Sequence, residues 1–282
     1  MKIYVVIPAH NEEHLVHKTL ASLVTQTVVP NKIVVVNDNS TDQTEATVRD
    51  YITNHPYISL VNINSSSDHI PGSKVINAFY QGYKTVDHNY DVICKFDADL
   101  IFPNNYIETI IKIFESDSNI GMASGILHIQ KNNSWVYENI ANKDHIRGPI
   151  KAYRKECFQA IGGLKKSIGW DTTDVLLSQY HNWKTVTDTN LIVKHLKPTG
   201  KAYHNSTKYL QGMAMYKMRY GITITIIAAL KLALLKKQPR LIKDYLIGFF
   251  KAKRAQQPFL VSKSEGEFIR KLRWKKIKKK LL

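Results

Sequence analysis

Residues Asp91–Leu100 read DVICKFDADL and join an apolar segment to a pair of aspartates. The first six residues predict a β-strand, and Asp97 and Asp99 follow where that strand stops. In an extended chain, side chains at positions i and i+2 lie on the same face, so the two carboxylates converge on one point. Hard divalent cations such as Mg²⁺ and Mn²⁺ prefer oxygen ligands of this kind. The stretch therefore predicts a strand with a cation site at its carboxyl end.

The residues before this stretch alternate between strand and helix patterns. β-Branched runs predict strands at Lys2–Ile7, Ile33–Val36 and Ile58–Ile63. Between them, apolar residues recur with the 3.6-residue period of a helix, most clearly from 15 to 24. Nearly continuous apolar strands that alternate with helices are typical of a parallel sheet covered on both faces. The predicted fold class is therefore α/β.

Polar clusters follow three of the predicted strands. These clusters are Pro8–Glu12, Asn37–Asp42 and Asp97–Asp99. The ligands of parallel sheets bind beyond the carboxyl ends of the strands, which lie along one edge. The three clusters therefore predict a single binding site at that edge.

The middle of the chain, up to residue 205, has shorter and less regular elements. They are predicted as the strands Gly121–Ile129, Ile150–Tyr153 and Leu191–His195 and the helix Lys155–Ile161. No low-complexity linker interrupts this part of the chain. We therefore expect residues 1–205 to form one domain, followed by a helical, basic region at 206–282.

The charge of the protein is distributed very unevenly. The formal net charge is +17. Residues 1–193 contain 17 Lys and Arg against 20 Asp and Glu, whereas residues 194–282 contain 23 against 3. The basic character thus belongs to the last third of the chain, and it predicts an anionic surface as a partner of that part.

Three helical segments are predicted in the basic region. Ile222–Leu235 is apolar on nearly every side but shorter than the roughly 20 residues needed to span a bilayer, so it predicts a buried or interfacial helix. The apolar residues of 241–250 cover half of a helical wheel, which suits either a membrane-surface helix or a helix packed on the domain. Arg270–Lys280 carries eight Lys and Arg, which predicts electrostatic attachment to a membrane.

The cysteines and the first residues indicate a compartment. Cys94 and Cys157 lie far apart in apolar segments, so two buried thiols in a reducing environment are expected. Met1 and Lys2 lead directly into a strand, without the pattern of a signal peptide. We therefore expect a cytoplasmic protein at the inner face of the cell membrane.

Four motifs, in this order, resemble those of the family 2 inverting glycosyltransferases. They are VVIPAHNEE (Val5–Glu13), VVVNDNSTDQT (Val34–Thr44), Gly72-Ser73-Lys74 with Asn77-Ala78, and KFDADL (Lys95–Leu100). The resemblance covers about residues 3–205. It implies the GT-A fold, a Rossmann-like, mostly parallel sheet between helices. It also implies metal-dependent, inverting transfer of a sugar from a nucleotide-diphosphate sugar to a glycan or lipid-linked acceptor.

The resemblance further implies which residues bind the donor. Asp38 matches the aspartate that accepts hydrogen bonds from a pyrimidine base, and Lys74 matches a basic residue near the diphosphate. The family often has Tyr where His10 stands and Asp where Asn37 stands, so the base contacts depart from the usual pattern. The implied donor-binding residues are Pro8, Ala9, His10, Glu12, Asp38, Lys74, Asp97 and Ala98.

The same resemblance assigns a metal site. Asp97 and Asp99 would hold Mn²⁺ or Mg²⁺ against the diphosphate of the donor, and the cation would stabilise the departing nucleoside diphosphate. His195, at the end of a predicted strand, resembles the histidine that completes the metal site in some relatives.

Inversion requires a general base that takes the proton of the acceptor hydroxyl. The segment Gly169–Asp174 lies where the family commonly has Glu-Asp-x-Asp, and it allows two alignments. Asp171 is the first candidate and Asp174 the second, although Asp171 can instead cap a helix that starts near Thr172. Trp170 is predicted either to stack on the acceptor sugar or to pack in the core.

The segment AYRKECFQAIGGL (Ala152–Leu164) resembles the part of the family that leads to the acceptor site. On this basis Arg154 is a second acceptor candidate beside Trp170.

Two other functions compete with glycosyl transfer. A nucleotidyltransferase that makes sugar nucleotides shares the layered fold and the metal, but it would have a Gly-rich, basic phosphate loop after the first strand, where this chain has Pro8–Glu12. A non-catalytic nucleic-acid-binding protein would account for the net charge. It does not account for paired carboxylates at the sheet edge, which repel phosphates, so no nucleic-acid partner is expected.

Overall fold

The structure is a computed structural model that describes residues 1–65, 72–140, 142–198 and 208–281. Its first half alternates strands and helices as the sequence predicts. These elements are β1 (Ile3–Ala9), α1 (Val16–Val24), β2 (Lys32–Asp38), α2 (Thr44–Asn54), β3 (Ile58–Ile63), α3 (Ser73–Tyr83) and β4 (Val92–Phe96).

The second half contains more strands and ends in helices. Its elements up to the last strand are β5 (Leu100–Ile101), α4 (Tyr106–Ser116), β6 (Ile120–Lys131), β7 (Ser134–Tyr137), β8 (Ile150–Arg154), α5 (Lys155–Ala160), α6 (Trp170–Tyr180) and β9 (Lys184–His195). The C-terminal helices are α7 (Leu210–Lys217), α8 (Gly221–Lys236), α9 (Arg240–Arg254) and α10 (Lys263–Leu281).

All nine described strands belong to one mixed sheet. Its order is β3-β2-β1-β4-β8-β6-β9-β5, and β7 pairs with β6 outside this path. The segment β3-β2-β1-β4 is parallel, as predicted, whereas β8 runs antiparallel to both of its neighbours. The α/β fold class is confirmed. The sequence pattern missed β5 and β7 because they are short, and it missed the start of β9 because residues 184–190 are largely polar.

Alternate residues of the central strands supply the two faces of the sheet with separate apolar cores. Val5 of β1 belongs to a cluster that α1 and α4 cover, whereas Val6 belongs to a second cluster. This alternation follows from the two-residue period of a strand. Cys94 and Cys157 are both buried and free, which confirms the expectation of two thiols.

The C-terminal helices pack directly on the second face. Ile224 of α8 and Ile269 of α10 lie in the same apolar cluster as Trp170 and Leu177 of α6. The predicted boundary at 205/206 lies outside the described residues, and the division into two domains stays a prediction. The described part of residues 1–198 nevertheless shares one apolar core with the C-terminal helices.

Helices α7 and α9 approach each other closely enough for backbone contact. A Cβ added at Gly212 would lie 1.9 Å from the carbonyl oxygen of Tyr245, and one added at Gly248 would lie 2.0 Å from that of Tyr209. Tyr245 and Phe249 are each only 7% exposed. Tyr245 and Phe249 of the apolar half of α9 thus face the protein, whereas Phe250 is 51% exposed. Of the two alternatives for this helix, the structure favours packing on the domain. No helix of the described residues is long and apolar enough to cross a membrane.

A buried threonine fixes the turn between β4 and β5. Thr19 of α1 is fully buried, and its hydroxyl donates to the carbonyl oxygen of Ala98 at 2.8 Å. The Oγ1 of Thr19 also accepts a hydrogen bond from the backbone N–H of Leu100 at 2.9 Å. One side chain therefore satisfies the backbone on both sides of Asp99.

We expect the Gly248→Ala variant to be destabilised by about 1–3 kcal/mol, because a methyl group at this position overlaps a backbone carbonyl that cannot move without separating α7 from α9. Urea unfolding of the variant and of Lys253→Ala, an exposed position of the same helix, measures the effect. Equal stability of the two variants would contradict backbone contact between these helices.

The Thr19→Val variant is expected to lose about 2 kcal/mol of unfolding free energy, because it leaves a buried carbonyl and a buried N–H without their partner. Thr19→Ser keeps the hydroxyl and serves as the matched control in the same denaturant titration. If serine costs as much as valine, the hydrogen bonds of Thr19 do not stabilise the turn.

Candidate active site

The loops that follow β1 and β2 hold each other through side-chain to backbone hydrogen bonds. Asn11 donates its N–H to Ser40 Oγ at 2.9 Å and accepts the N–H of Thr41 on its side-chain oxygen at 2.8 Å. Glu12 donates its N–H to Thr44 Oγ1 at 2.7 Å. The two polar clusters that the sequence places at one sheet edge therefore form one connected surface.

The predicted base-binding residues lie on this surface. Pro8 and Ala9 end β1, opposite Val36 and Asn37 of β2. The exposed His10 holds a hydrogen bond of 2.6 Å between its Nδ1 and the carbonyl oxygen of Asp38. Because a carbonyl can only accept, Nδ1 carries the proton.

The side chains at the end of β2 leave two acceptors at this edge. Asp38 is 7% exposed, and its Oδ1 accepts the N–H of Ser65 at 3.2 Å. Asn37 donates from Nδ2 to Asn62 at 2.9 Å, but its Oδ1 is buried without a hydrogen-bond partner among the described residues. Buried polar atoms usually have partners, so this oxygen is suited to accept an N–H from a ligand. The sequence places Asn37 in a polar cluster of the predicted binding site, but Asn37 was not among the predicted donor-binding residues.

Asp97, Asp99 and His195 lie together, as the resemblance implied. Each offers one ligand atom, and these atoms lie within 4.8 Å of one another. The pairing of β5 with β9 produces this contact, since Leu100 is the register partner of His195. The backbone N–H of Leu196 also donates to the carbonyl oxygen of Asp99 at 2.9 Å.

Glu138, which the sequence analysis missed, orients His195. Its carboxylate lies 3.0 Å from His195 Nδ1, while Nε2 lies 3.6 Å from Asp99. Glu138 also pairs with Arg147 at 3.1 Å, and its side chain is 2% exposed. Burial alone lowers the pKa of His195, but the hydrogen bonds and negative charges of Asp99 and Glu138 outweigh it and raise that pKa to about 9.

These three residues fit a divalent cation such as Mn²⁺ or Mg²⁺. Two carboxylates and an imidazole form a donor set of oxygen and nitrogen. Histidine ligands commonly donate their other ring N–H to a carboxylate, as His195 does to Glu138 when it is neutral. The buried Lys95 pairs with Asp97, but a carboxylate has enough lone pairs to accept from Lys95 and bind a cation as well.

Glu12 lies close enough to the acidic cluster to feel the charges of Asp97 and Asp99. Glu12 pairs with Lys197 at 2.6 Å, a lysine that the sequence analysis had not selected. Burial raises the pKa of Glu12, and the charges of Asp97 and Asp99 add to this, although Lys197 opposes it. Lys74 is half-buried in the first turn of α3.

The predicted base candidates occupy different environments on α6. The helix begins at Trp170, after Gly169 in a left-handed conformation (φ 83°), so Asp171 lies in the first turn and does not cap the helix. Asp171 is half-buried and faces Gly148, where an added Cβ would lie 3.5 Å from the Asp171 Cβ. Gly148 is also next to Pro149, whose carbonyl oxygen accepts the N–H of Asp97. Only the backbone of Gly148 and Pro149 therefore separates Asp171 from Asp97.

Asp174, in contrast, is held inside the protein. It is 1% exposed, and its two oxygens accept from Lys151 at 2.8 and 2.7 Å. Tyr153 donates to the same carboxylate. Burial raises the pKa of Asp174 and lowers that of Lys151. Its carboxylate is thus engaged in a buried network and offers an acceptor sugar almost no surface.

The structure does not expose the two predicted acceptor residues to the site. Trp170 is 7% exposed, and the ammonium groups of Lys95 and Lys151 lie over its ring at 5.4 and 5.3 Å. Arg154 pairs with Val92, at the end of β4 away from Asp97, and donates to carbonyl oxygens of Ile120, Phe114 and Asp117. Trp170 therefore packs in the core, and Arg154 binds backbone near the end of α4.

Curated relatives are similar in sequence to part of this chain. A probable glycosyltransferase of Bacillus subtilis, YdaM, is 34% identical over 100 residues, covering 35% of this chain and 23% of its own length. The poly-β-1,6-N-acetyl-D-glucosamine synthase of Staphylococcus epidermidis is 26% identical over 162 residues, 57% of this chain and 34% of its own. A 4,4'-diaponeurosporenoate glycosyltransferase of Staphylococcus aureus is 28% identical over 183 residues, 58% and 46% respectively. The matches span less than half the length of these relatives.

Solved structures share the fold at low sequence identity. A mannosyltransferase from Pyrobaculum calidifontis in complex with GDP-Man and Mn²⁺ has a TM-score of 0.59 and 15% identity, over 95% of this chain and 78% of that one. Residues 1–349 of S. aureus TarS in complex with UDP-GlcNAc have a TM-score of 0.59 and 17% identity, over 89% and 73%. The GT-A-like fold is therefore confirmed.

The family itself is shown by a match over most of the chain. The profile of Glycosyl transferase family 2 matches residues 4–219. This range includes the hydrogen-bonded loops after β1 and β2, the acidic cluster with His195, and the half-buried Asp171. The chain therefore belongs to glycosyl transferase family 2.

Proposed function

We propose that this protein transfers a sugar from a nucleotide-diphosphate sugar to a glycan or lipid-linked acceptor, with inversion and with a divalent cation. The convergence of Asp97, Asp99 and His195 within 4.8 Å carries the proposal, because it provides a cation site at the carboxyl ends of the strands. The family membership supports the reaction class.

The donor lies along the edge formed by the loops after β1 and β2. Its base meets Asp38 and the Oδ1 of Asn37, which has no hydrogen-bond partner among the residues that the structure describes. Both side chains accept hydrogen bonds and suit a base that presents N–H groups. Two structural neighbours are described with UDP-GlcNAc and GDP-Man, which supports a nucleotide-diphosphate sugar as the donor class.

Asp97, Asp99 and His195 would hold the cation, which would supply positive charge that stabilises the nucleoside diphosphate as leaving group. Glu138 keeps His195 in the orientation that directs Nε2 toward Asp99. Lys95 limits the repulsion between Asp97 and its acidic neighbours before the donor binds.

Asp171 is the general base of the proposed reaction. It accepts the proton of the acceptor hydroxyl while that oxygen attacks the anomeric carbon, and the bond to the diphosphate breaks on the opposite face. Asp171 has a partly exposed side chain, and only the backbone of Gly148 and Pro149 separates it from Asp97. Asp174 lacks the exposure, because Lys151 and Tyr153 occupy its carboxylate.

We expect a donor nucleotide sugar to stabilise the protein only when Mn²⁺ or Mg²⁺ is present, because the diphosphate needs the cation to approach Asp97 and Asp99. At a ligand concentration of 100 times Kd the stabilisation is about 2.7 kcal/mol, which a thermal shift detects. The measurement uses a panel of sugar nucleotides on wild type, with EDTA as the control.

The Asp99→Ala variant should lose this response while remaining folded. If no sugar nucleotide stabilises folded wild-type protein with either cation, the proposed function fails. If stabilisation persists in EDTA, only the role of the cation fails.

Asp171→Asn and Asp174→Asn are expected to act differently. Asp171→Asn should lower transfer by about 10²–10⁴-fold and leave donor binding intact, because it removes a proton acceptor from the site. Asp174→Asn should cost about 3–5 kcal/mol of unfolding free energy, because it leaves the buried Lys151 ammonium without its counter-charge.

Single-turnover assays, donor titrations and urea unfolding on both variants test this pair. If Asp171→Asn retains wild-type transfer, the assignment of the base to Asp171 is wrong. If Asp174→Asn is as stable as wild type yet inactive, the base is Asp174.

A further inference from the structure

The outer face of α8 is apolar and exposed along its whole length. Ile222, Ile226, Leu230 and Leu234 recur every four residues, with exposures of 36%, 36%, 44% and 78%. The adjacent Leu235 is 70% exposed. We name the first four residues the α8 stripe. From Ile222 to Leu234 it extends about 18 Å at 1.5 Å per residue.

Other residues of the same helix pack on the protein. Ile224, Ala229 and Ala233 are at most 6% exposed. The α8 stripe is therefore not the core face of the helix, and the fold does not need large aliphatic side chains there. Contiguous exposed apolar surfaces of this kind mark contacts with a partner or a membrane.

The charge of α8 and α9 is predominantly positive. Helices α8 and α9 with their connection, residues 221–254, contain eight Lys and Arg and one acidic residue, Asp244. The Asp244 carboxylate is 8% exposed and lies 3.8 Å from Lys208. Exposed basic residues at the turn between the two helices include Lys236, Lys237 and Arg240.

These observations favour a lipid surface over a second protein. An aliphatic stripe bordered by cations matches the acyl chains and anionic headgroups of a membrane interface. The helix is too short to cross a bilayer, so it lies in the plane of the interface. Phe250 of α9, 51% exposed, adds an aromatic side chain to the apolar surface of this helix pair.

The position of α8 links this surface to the site. The side chains of Met218 and Ala214, which precede α8, pack against Gly169. A Cβ added at Gly169 would lie 3.4 Å from Met218 and 3.2 Å from Ala214. Gly169 directly precedes Trp170 and Asp171. The start of α8 is thus fixed next to the helix turn that carries the proposed base.

We propose that the α8 stripe, with its basic borders, docks the protein on an anionic membrane and holds the Asp171 side of the site toward acceptors in that membrane. The second half of this statement rests on the proposed function, and the first half does not. The docking helix is α8, whereas α9 buries Tyr245 and Phe249 of its apolar half against the protein.

The test is co-sedimentation of the full chain with vesicles of phosphatidylcholine that contain phosphatidylglycerol, an anionic lipid that attracts basic segments. Wild type should bind. Leu230→Gln with Leu234→Gln should weaken partitioning about tenfold or more, because two exposed leucines no longer enter the interface. Val28→Gln with Val29→Gln, which removes two exposed valines far along the chain from α8, is the matched control and should bind as wild type does.

A second comparison separates the α8 stripe from the basic end of α10. Lys275→Gln with Lys276→Gln and Lys279→Gln removes three charges from α10. If this variant abolishes binding while the leucine variant binds as wild type does, attachment is electrostatic through α10 and the proposal is overturned. A concentration-dependent dimer that the leucine variant dissociates, with no vesicle binding by wild type, would also overturn it and assign the stripe to a second copy.

Donor-dependent thermal stabilisation of the leucine variant separates a failure of membrane docking from a failure of the proposed function. We expect it to equal that of wild type, because the substituted side chains are exposed and lie outside the donor edge. Vesicle binding without any donor response would leave the docking surface established and remove the proposed function. A donor response without vesicle binding would support the proposed function and overturn the docking surface.

Discussion

Close packing of carboxylates is the constraint on which this site depends. Asp97 and Asp99 lie in the turn between β4 and β5, whereas Glu12 follows β1 and Glu138 follows β7. The negative charges of these three segments would repel one another if they lacked counter-charges. Lys95 pairs with Asp97, Lys197 with Glu12, and Arg147 with Glu138. His195 lies between Asp99 and Glu138. The fold therefore assembles an acidic pocket that is already largely neutralised, and the capacity for one more cation remains at Asp97, Asp99 and His195.

A second buried ion pair positions the proposed base. Lys151 pairs with Asp174, and its ammonium also donates to the carbonyl oxygen of Asp171 at 2.6 Å. Lys151 is the register partner of Lys95, so the strand that leads to the acidic cluster and the strand that anchors α6 are neighbours. Buried ion pairs add little net stability, but they define geometry, and this one sets where the first turn of α6 lies relative to Asp97.

The C-terminal helices extend the same geometry outward. Because α8 and α10 bury Ile224 and Ile269 in the core that also contains Trp170, they cannot rotate independently of α6. The guanidinium of Arg273 on α10 lies 2.7 Å from the hydroxyl of Tyr220, the residue before α8. An exposed apolar stripe fixed to the catalytic framework in this way has a defined orientation relative to Asp171, which a flexible basic tail would not provide.

The sequence by itself determined the parallel half of the sheet, the pairing of Asp97 with Asp99 and the polar edge, because periodicity and strand ends are local properties of the chain. The resemblance added His195. Only the tertiary structure decided the roles of Glu138 and Lys197, since their partners lie 57 and 185 residues away and no local pattern marks such contacts. It also decided which C-terminal helix faces outward: an amphipathic pattern is the same whether its apolar face meets a protein core or a membrane, and only the packing of α7 against α9 distinguishes the two.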